Sequence, residues 1–179
     1  MRRLLLAATL LGLTLLSGCA SLLTRDLPLL QIPPAALGSP RTVQQQLQVS
    51  YPGGGAVMES VLQLDAQQLE VINSAMGLRM ATLDYDGQNL KADMLPAMKL
   101  PPQRILNDLL LVYAPADALQ KALPDGWSVR DESKQRTVLR GTDVMVDIVY
   151  DGADHWQGRA VLHHHQLAYT LTIDSSEVE

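Results

Sequence analysis

Pro101-Pro102-Gln103-Arg104-Ile105-Leu106-Asn107-Asp108-Leu109-Leu110-Leu111-Val112-Tyr113 is where the hydrophobic period of this chain changes. Proline suits the first turn of a helix, where its missing N–H costs nothing. Ile105, Leu106, Leu109, Leu110 and Tyr113 then recur at helical spacing. Ala118, Leu119, Ala122 and Leu123 repeat that spacing after Pro115, until Pro124-Asp125-Gly126 stops it. On either side the period is two. Met58, Ser60, Leu62 and Leu64 alternate with Glu59, Val61 and Gln63; Leu69 and Val71 flank Glu70, and Leu78 and Met80 flank Arg79. Beyond Trp127 the alternation resumes at Val144, Val146, Ile148 and Tyr150, and closes with Leu167, Tyr169, Leu171 and Ile173. Tyr85-Asp86-Gly87 and Tyr150-Asp151-Gly152 read as turns, since Asp-Gly tolerates the positive dihedrals of a tight connection. Strands, a helical insert and further strands predict an α+β fold: an antiparallel sheet with helices against one face.

Upstream, Arg2 and Arg3 precede an apolar run from Leu4 to Leu16 and then Ser17-Gly18-Cys19. The run has the length of a secretory signal and is too short to span a bilayer. Small residues before the sole cysteine resemble the lipobox of bacterial lipoproteins. That resemblance implies cleavage before Cys19, diacylglycerol on its sulfur and acylation of its new amino group. It divides the chain into a signal peptide (1–18), a lipidated cysteine with tether (19–40) and a single lipid-binding-like domain (41–179). Ala20 and Ser21 differ from the aspartate that retains such proteins at the inner membrane, which implies an outer-membrane location facing the periplasm. Pro28, Pro33, Pro34 and Pro40 give the tether an extended character, while Leu27, Leu29, Leu30 and Ile32 let part of it pack on the domain or the bilayer.

Without residues 1–18 the chain carries 12 basic and 19 acidic residues, a net charge of −7. No basic stripe remains to follow a phosphate backbone, which argues against nucleic acid. With Cys19 modified, no thiol is left for a disulfide or a thiolate metal site.

The segment from Val71 to Leu90, the entry Leu100-Pro101-Pro102 and the hairpin from Leu162 to Asp174 resemble the LolA/LolB-like family, periplasmic carriers and outer-membrane acceptors of lipoproteins. The chain is more closely similar to lipoproteins of that fold often encoded beside aryl polyene pigment genes. The resemblance implies a curved antiparallel half-barrel around central helices, an apolar cavity for acyl chains, and a periplasmic carrier and inner-membrane exporter as partners. Met76, just before Gly77 in the turn Asn73-Ser74-Ala75-Met76-Gly77, corresponds to an exposed leucine through which the acceptor places cargo in the membrane.

The expected cavity lining is Met58, Leu62, Leu64, Met80, Leu106, Leu109, Leu110, Val146, Ile148, Tyr169 and Leu171. With no phenylalanine in the chain, leucine, valine and methionine must form the core, and unbranched thioethers adapt to flexible apolar ligands. Each of these residues fits a solid core equally well, so periodicity leaves cavity and packed interior open. His163-His164-His165 offers at most two imidazoles on one strand face, a weak metal pattern read as polar residues at a hairpin start. No Gly-x-Ser-x-Gly elbow, His-Glu-x-x-His helix or glycine-rich phosphate loop is present, so the expectation is a protein that is not an enzyme and needs no cofactor. The function expected is an outer-membrane lipoprotein that binds an acyl or polyene lipid, or the acyl chains of a lipoprotein, in an apolar cavity and assists its transfer to the outer membrane. The alternative is a non-transporting scaffold there.

Overall fold

The computed structural model describes residues 27–178 apart from 99 and 153. The signal segment, Cys19 and the first part of the tether lie outside the described residues. Ten strands form one antiparallel sheet: β1 (Arg41–Tyr51), β2 (Gly54–Leu64), β3 (Leu69–Ala75), β4 (Leu78–Tyr85), β5 (Leu90–Met94), β6 (Trp127–Glu132), β7 (Gln135–Arg140), β8 (Asp143–Tyr150), β9 (Gly158–His164) and β10 (Tyr169–Val178). Their order is β5-β4-β3-β2-β1-β10-β9-β8-β7-β6, so two five-stranded meanders meet along β1 and β10. The one long connection, from edge strand β5 to edge strand β6, holds α1 (Pro102–Tyr113) and α2 (Ala116–Ala122). The fold is the expected α+β class: an open, curved antiparallel sheet with two helices.

Alternation decides which face of each strand is inside. Val43 and Leu47 on β1, Leu62 and Leu64 on β2, Leu69 and Val71 on β3, and Leu83 and Tyr85 on β4 are buried. Two β-bulges override the period. Between β3 and β4 the register steps from Asn73↔Ala81 to Ser74↔Arg79, which leaves Met80 as the extra residue. Met80 is therefore a correction to the expected lining. It is half-buried and outside the core cluster, and Ala81, Leu83 and Tyr85 take the inner face. Between β7 and β8 the register steps from Val138↔Val146 to Leu139↔Val144, so Met145 turns inward and Val144 outward. The closing strand starts at Tyr169, two residues later than the alternation predicts, because Leu167 lies in the turn before it.

From Leu106 to Ala114 the central helix α1 is buried at every position. A helix apolar on one stripe needs one partner; one buried all round needs cover on several sides. The sheet supplies part of that cover. Residues 27–37, expected within the tether, supply more: Leu30, Ile32 and Leu37 are fully buried, and Pro34–Leu37 forms a 3-10 turn. The packed part of the chain thus begins well before Arg41.

Candidate functional site: the inner face and its strap

The strap formed by residues 27–37 is held by side chains of α1 and β4. Asn107 on α1 accepts the Leu30 N–H at 3.0 Å and donates to the Pro28 carbonyl at 2.9 Å, and Gln103 donates to the Leu27 carbonyl at 2.7 Å. On β4 the Tyr85 hydroxyl accepts the Ile32 N–H at 2.8 Å and donates to the Leu30 carbonyl at 2.6 Å. Burial pushes the Tyr85 pKa up, so the phenol keeps its proton and its donor role at neutral pH.

Beneath the far end of the strap, Asp86 accepts the N–H groups of Gln88 and Asn89 at 2.9 and 2.7 Å, which closes the β4–β5 turn. Those bonds, with the Asn89 side chain, hold its carboxyl down at about 2. Gly87 there has φ +97°, and a Cβ on it would stand 3.0 Å from the Pro33 Cα. Gly87→Ala therefore strains the turn and pushes the strap outward together. The expected loss is about 1–2 kcal/mol, read as a lower urea midpoint.

Of the residues expected to line a cavity, Leu62, Leu64, Leu106, Leu109, Leu110, Val146 and Ile148 are brought together on the inside, each 0–3% exposed. A hollow wide enough for a hydrocarbon chain would leave its lining accessible to water. These side chains are not, so the interior is packed in this conformation. Met58 and Leu171 are buried as well, at 9% and 6% exposed. Tyr169 is half-buried against the cluster, and its hydroxyl donates to the buried Asp108 at 2.6 Å. A cleft of about 150 Å³ opens where Leu27 meets the first turns of α1, lined also by Gln103, Asn107, Asp108, His164 and Leu167.

The far end of α1 is fixed by Arg136, which is 1% exposed. Its Nη1 donates toward the carbonyls of Leu111, Val112 and Ala114 at 2.7, 3.3 and 2.8 Å, and its Nη2 pairs with Asp131 at 2.8 Å. The Tyr150 hydroxyl adds a bond to the Val112 carbonyl at 2.8 Å. A cation here satisfies carbonyls left without intrahelical partners and complements the helix dipole. Sequence reasoning missed Arg136, although its period-two relation to inward Val138 was the available signal.

His155 stacks on Tyr150 with ring centroids 3.7 Å apart. Burial lowers its pKa, and the Arg136 charge lowers it further against Asp131 and Asp154. The folded state thus resists a proton that the unfolded chain accepts. This group costs no stability above the ordinary value of 6.5 and destabilises progressively as pH falls below it. The melting temperature should be lower at pH 5 than at pH 7, and His155→Phe, which keeps the stacked ring, should flatten that slope.

Met76 occupies the tip of the β3–β4 hairpin with φ +52°, next to Gly77 at +77°. Met76 is fully exposed, and Leu78, which opens β4, and Val57 on β2 are exposed too. A non-glycine residue at positive φ in a two-residue hairpin turn is unusual, since glycine or asparagine fits without strain. His163 bonds Thr170 Oγ1 at 3.0 Å, and His165 lies 3.3 Å from Asp147. Among the described residues no three His, Cys, Asp or Glu side chains are grouped to hold a metal ion, and no helix is long and apolar enough to cross a membrane.

No curated protein matches this chain. Among solved structures it is similar to the crystal structure of a LolA superfamily protein from Nitrosomonas europaea. That likeness has 10% sequence identity, covers 77% of this chain and 84% of that one, and has a TM-score of 0.46. The model of the family described as "Protein of unknown function (DUF3261)" matches residues 42–177, a span that takes in both helices and nearly the whole sheet. The chain belongs to that family.

Proposed function

We propose that this domain binds the acyl or polyene chain of a lipid on the inner face of the half-barrel, in the place the strap now fills. The observation that carries this reading is the strap itself. A contiguous peptide, not part of the sheet or of α1, fills the apolar interior with Leu30, Ile32 and Leu37 and is held by a few side-chain hydrogen bonds. Each methylene of a lipid seated there leaves water for about 0.8 kcal/mol, and the returning strap offsets part of that gain, so loading stays reversible. The cleft at Leu27 is the entrance.

In this reading Cys19 is lipidated and holds the protein at the outer membrane, facing the periplasm. A periplasmic carrier and an inner-membrane exporter supply the cargo. Eight residues from Cys19 to Leu27 reach at most about 28 Å. Leu27 lies at the start of α1, and the β3–β4 turn is at that same end of the sheet, because β5 leaves beside Ala81 to lead into α1. Met76 and Leu78 thus face the bilayer and receive the outgoing chain. Met76→Glu should leave the fold intact and reduce lipid delivery to liposomes at least five-fold; unchanged delivery removes Met76 from the mechanism.

The packed interior favours a second reading, a closed scaffold at the outer membrane. Native mass spectrometry of the protein with Cys19 replaced, after incubation with liposomes of membrane lipid, separates the two. A carrier retains lipid adducts, whereas a scaffold has the mass of its polypeptide alone.

A further inference from the structure

A row of polar side chains crosses the inner face of four adjacent strands. Ser175 on β10 is opposite Gln45 on β1, Gln45 is opposite Ser60 on β2, and Ser60 is opposite Asn73 on β3. Gln45, Ser60 and Asn73 are each at most 4% exposed. Gln45 Nε2 donates to the Tyr113 hydroxyl at 2.7 Å, and that hydroxyl shares a 2.7 Å bond with Ser175 Oγ. The rest of the row has no partner within the protein: Gln45 Oε1, Ser60 Oγ and both amide atoms of Asn73 reach no protein hydrogen-bonding group.

Apolar rows bound it on both sides. Val43, Leu62, Val71 and Leu83 are opposite one another on one flank, and Ile173, Leu47 and Met58 on the other. Buried polar groups are normally bonded, and an unbonded amide inside a protein is strongly unfavourable. Three neighbouring ones at the same level of three strands are harder to ascribe to chance than one.

We infer that this row is a recognition subsite for a neutral amide within the chain of an apolar ligand. The inference rests on the reading that the half-barrel holds a lipid chain. Asn73 leaves both a donor and an acceptor unpartnered, which matches an amide's C=O and N–H; an ester offers acceptors only. No charged side chain belongs to the row, so a carboxylate or phosphate would be buried there without a counter-charge. The apolar rows to either side hold hydrocarbon on both sides of the linkage.

The test is separate titration of the protein, Cys19 replaced, with N-octyl octanamide, octyl octanoate and heptadecane, read by native mass spectrometry. The amide is expected to bind at least ten-fold tighter than the ester. Asn73→Leu should abolish that preference while raising the melting temperature of the unliganded protein, because it removes the unbonded amide. Ser60→Ala, a smaller change, should weaken the preference with a melting temperature at least equal to that of the parent protein, because it too removes an unbonded polar group. Equal binding of amide and ester, or a preference that survives both substitutions, overturns the inference and leaves the lipid-binding reading standing. Binding of none of the three overturns both. A crystal structure of the amide complex with only water on Asn73 and Ser60 also overturns it.

Discussion

Arg136→Met lowers stability by about 3–5 kcal/mol, the cost of removing one partner from a buried charged network. For a domain of this size that is a fall in melting temperature on the order of 10 °C. Methionine fills much of the arginine's volume, so the loss reports hydrogen bonds more than packing. Without the guanidinium, the Leu111 and Ala114 carbonyls lose their donor at the buried end of α1. Asp131 suffers less, since its side chain is 29% exposed and water can replace the ion pair. Urea unfolding of the variant checks this, and a loss below about 1 kcal/mol would mean that the helix end finds other donors.

Ile32→Asp has the second largest effect, and its two consequences run in opposite directions. Ile32 is 1% exposed, and its burial contributes about 1.5–3 kcal/mol. A carboxylate cannot stay there unpaired, so the strap leaves the groove and that stability goes with it. Chymotrypsin should then cut after Leu29 or Leu30 at rates typical of an open segment. Acyl-chain affinity, by contrast, should rise about ten-fold or more. A site blocked by its own chain binds with an apparent constant weakened by the unblocked fraction, and the substitution removes that block. Weaker binding in this variant would mean that the strap helps form the site and does not occupy it.

The features legible in the sequence are those written as local periods. Met58 to Leu64 alternates, and β2 buries its even-numbered residues there. Ile105 to Tyr113 has helical spacing behind two prolines, and α1 begins at Pro102. Met80 and Val144 were misplaced because a bulge adds one residue on one strand, and only the partner strand reveals it.

The strap was legible only as a tether whose apolar residues could pack on the domain or on the bilayer, and its course and partners were not. Leu27, Leu30, Ile32 and Leu37 follow neither period, and prolines among them read as an extended tether. Their partners, Asn107 and Tyr85, lie 77 and 53 residues away along the chain. Gln45, Ser60 and Asn73 each sit at an inward position between apolar neighbours, yet they form a row only once the register of β1, β2 and β3 is known.

Two amides report directly on whether a lipid takes the strap's place. The N–H groups of Leu30 and Ile32 are held by Asn107 and the Tyr85 hydroxyl, so they exchange with solvent only when the strap lifts. Hydrogen–deuterium exchange over residues 27–37, measured with and without saturating acyl-chain ligand, reads them both. Faster exchange at Leu30 and Ile32 in the loaded protein, with α1 still protected, is the result expected. Ligand bound while those two amides stay as protected as before would contradict displacement of the strap.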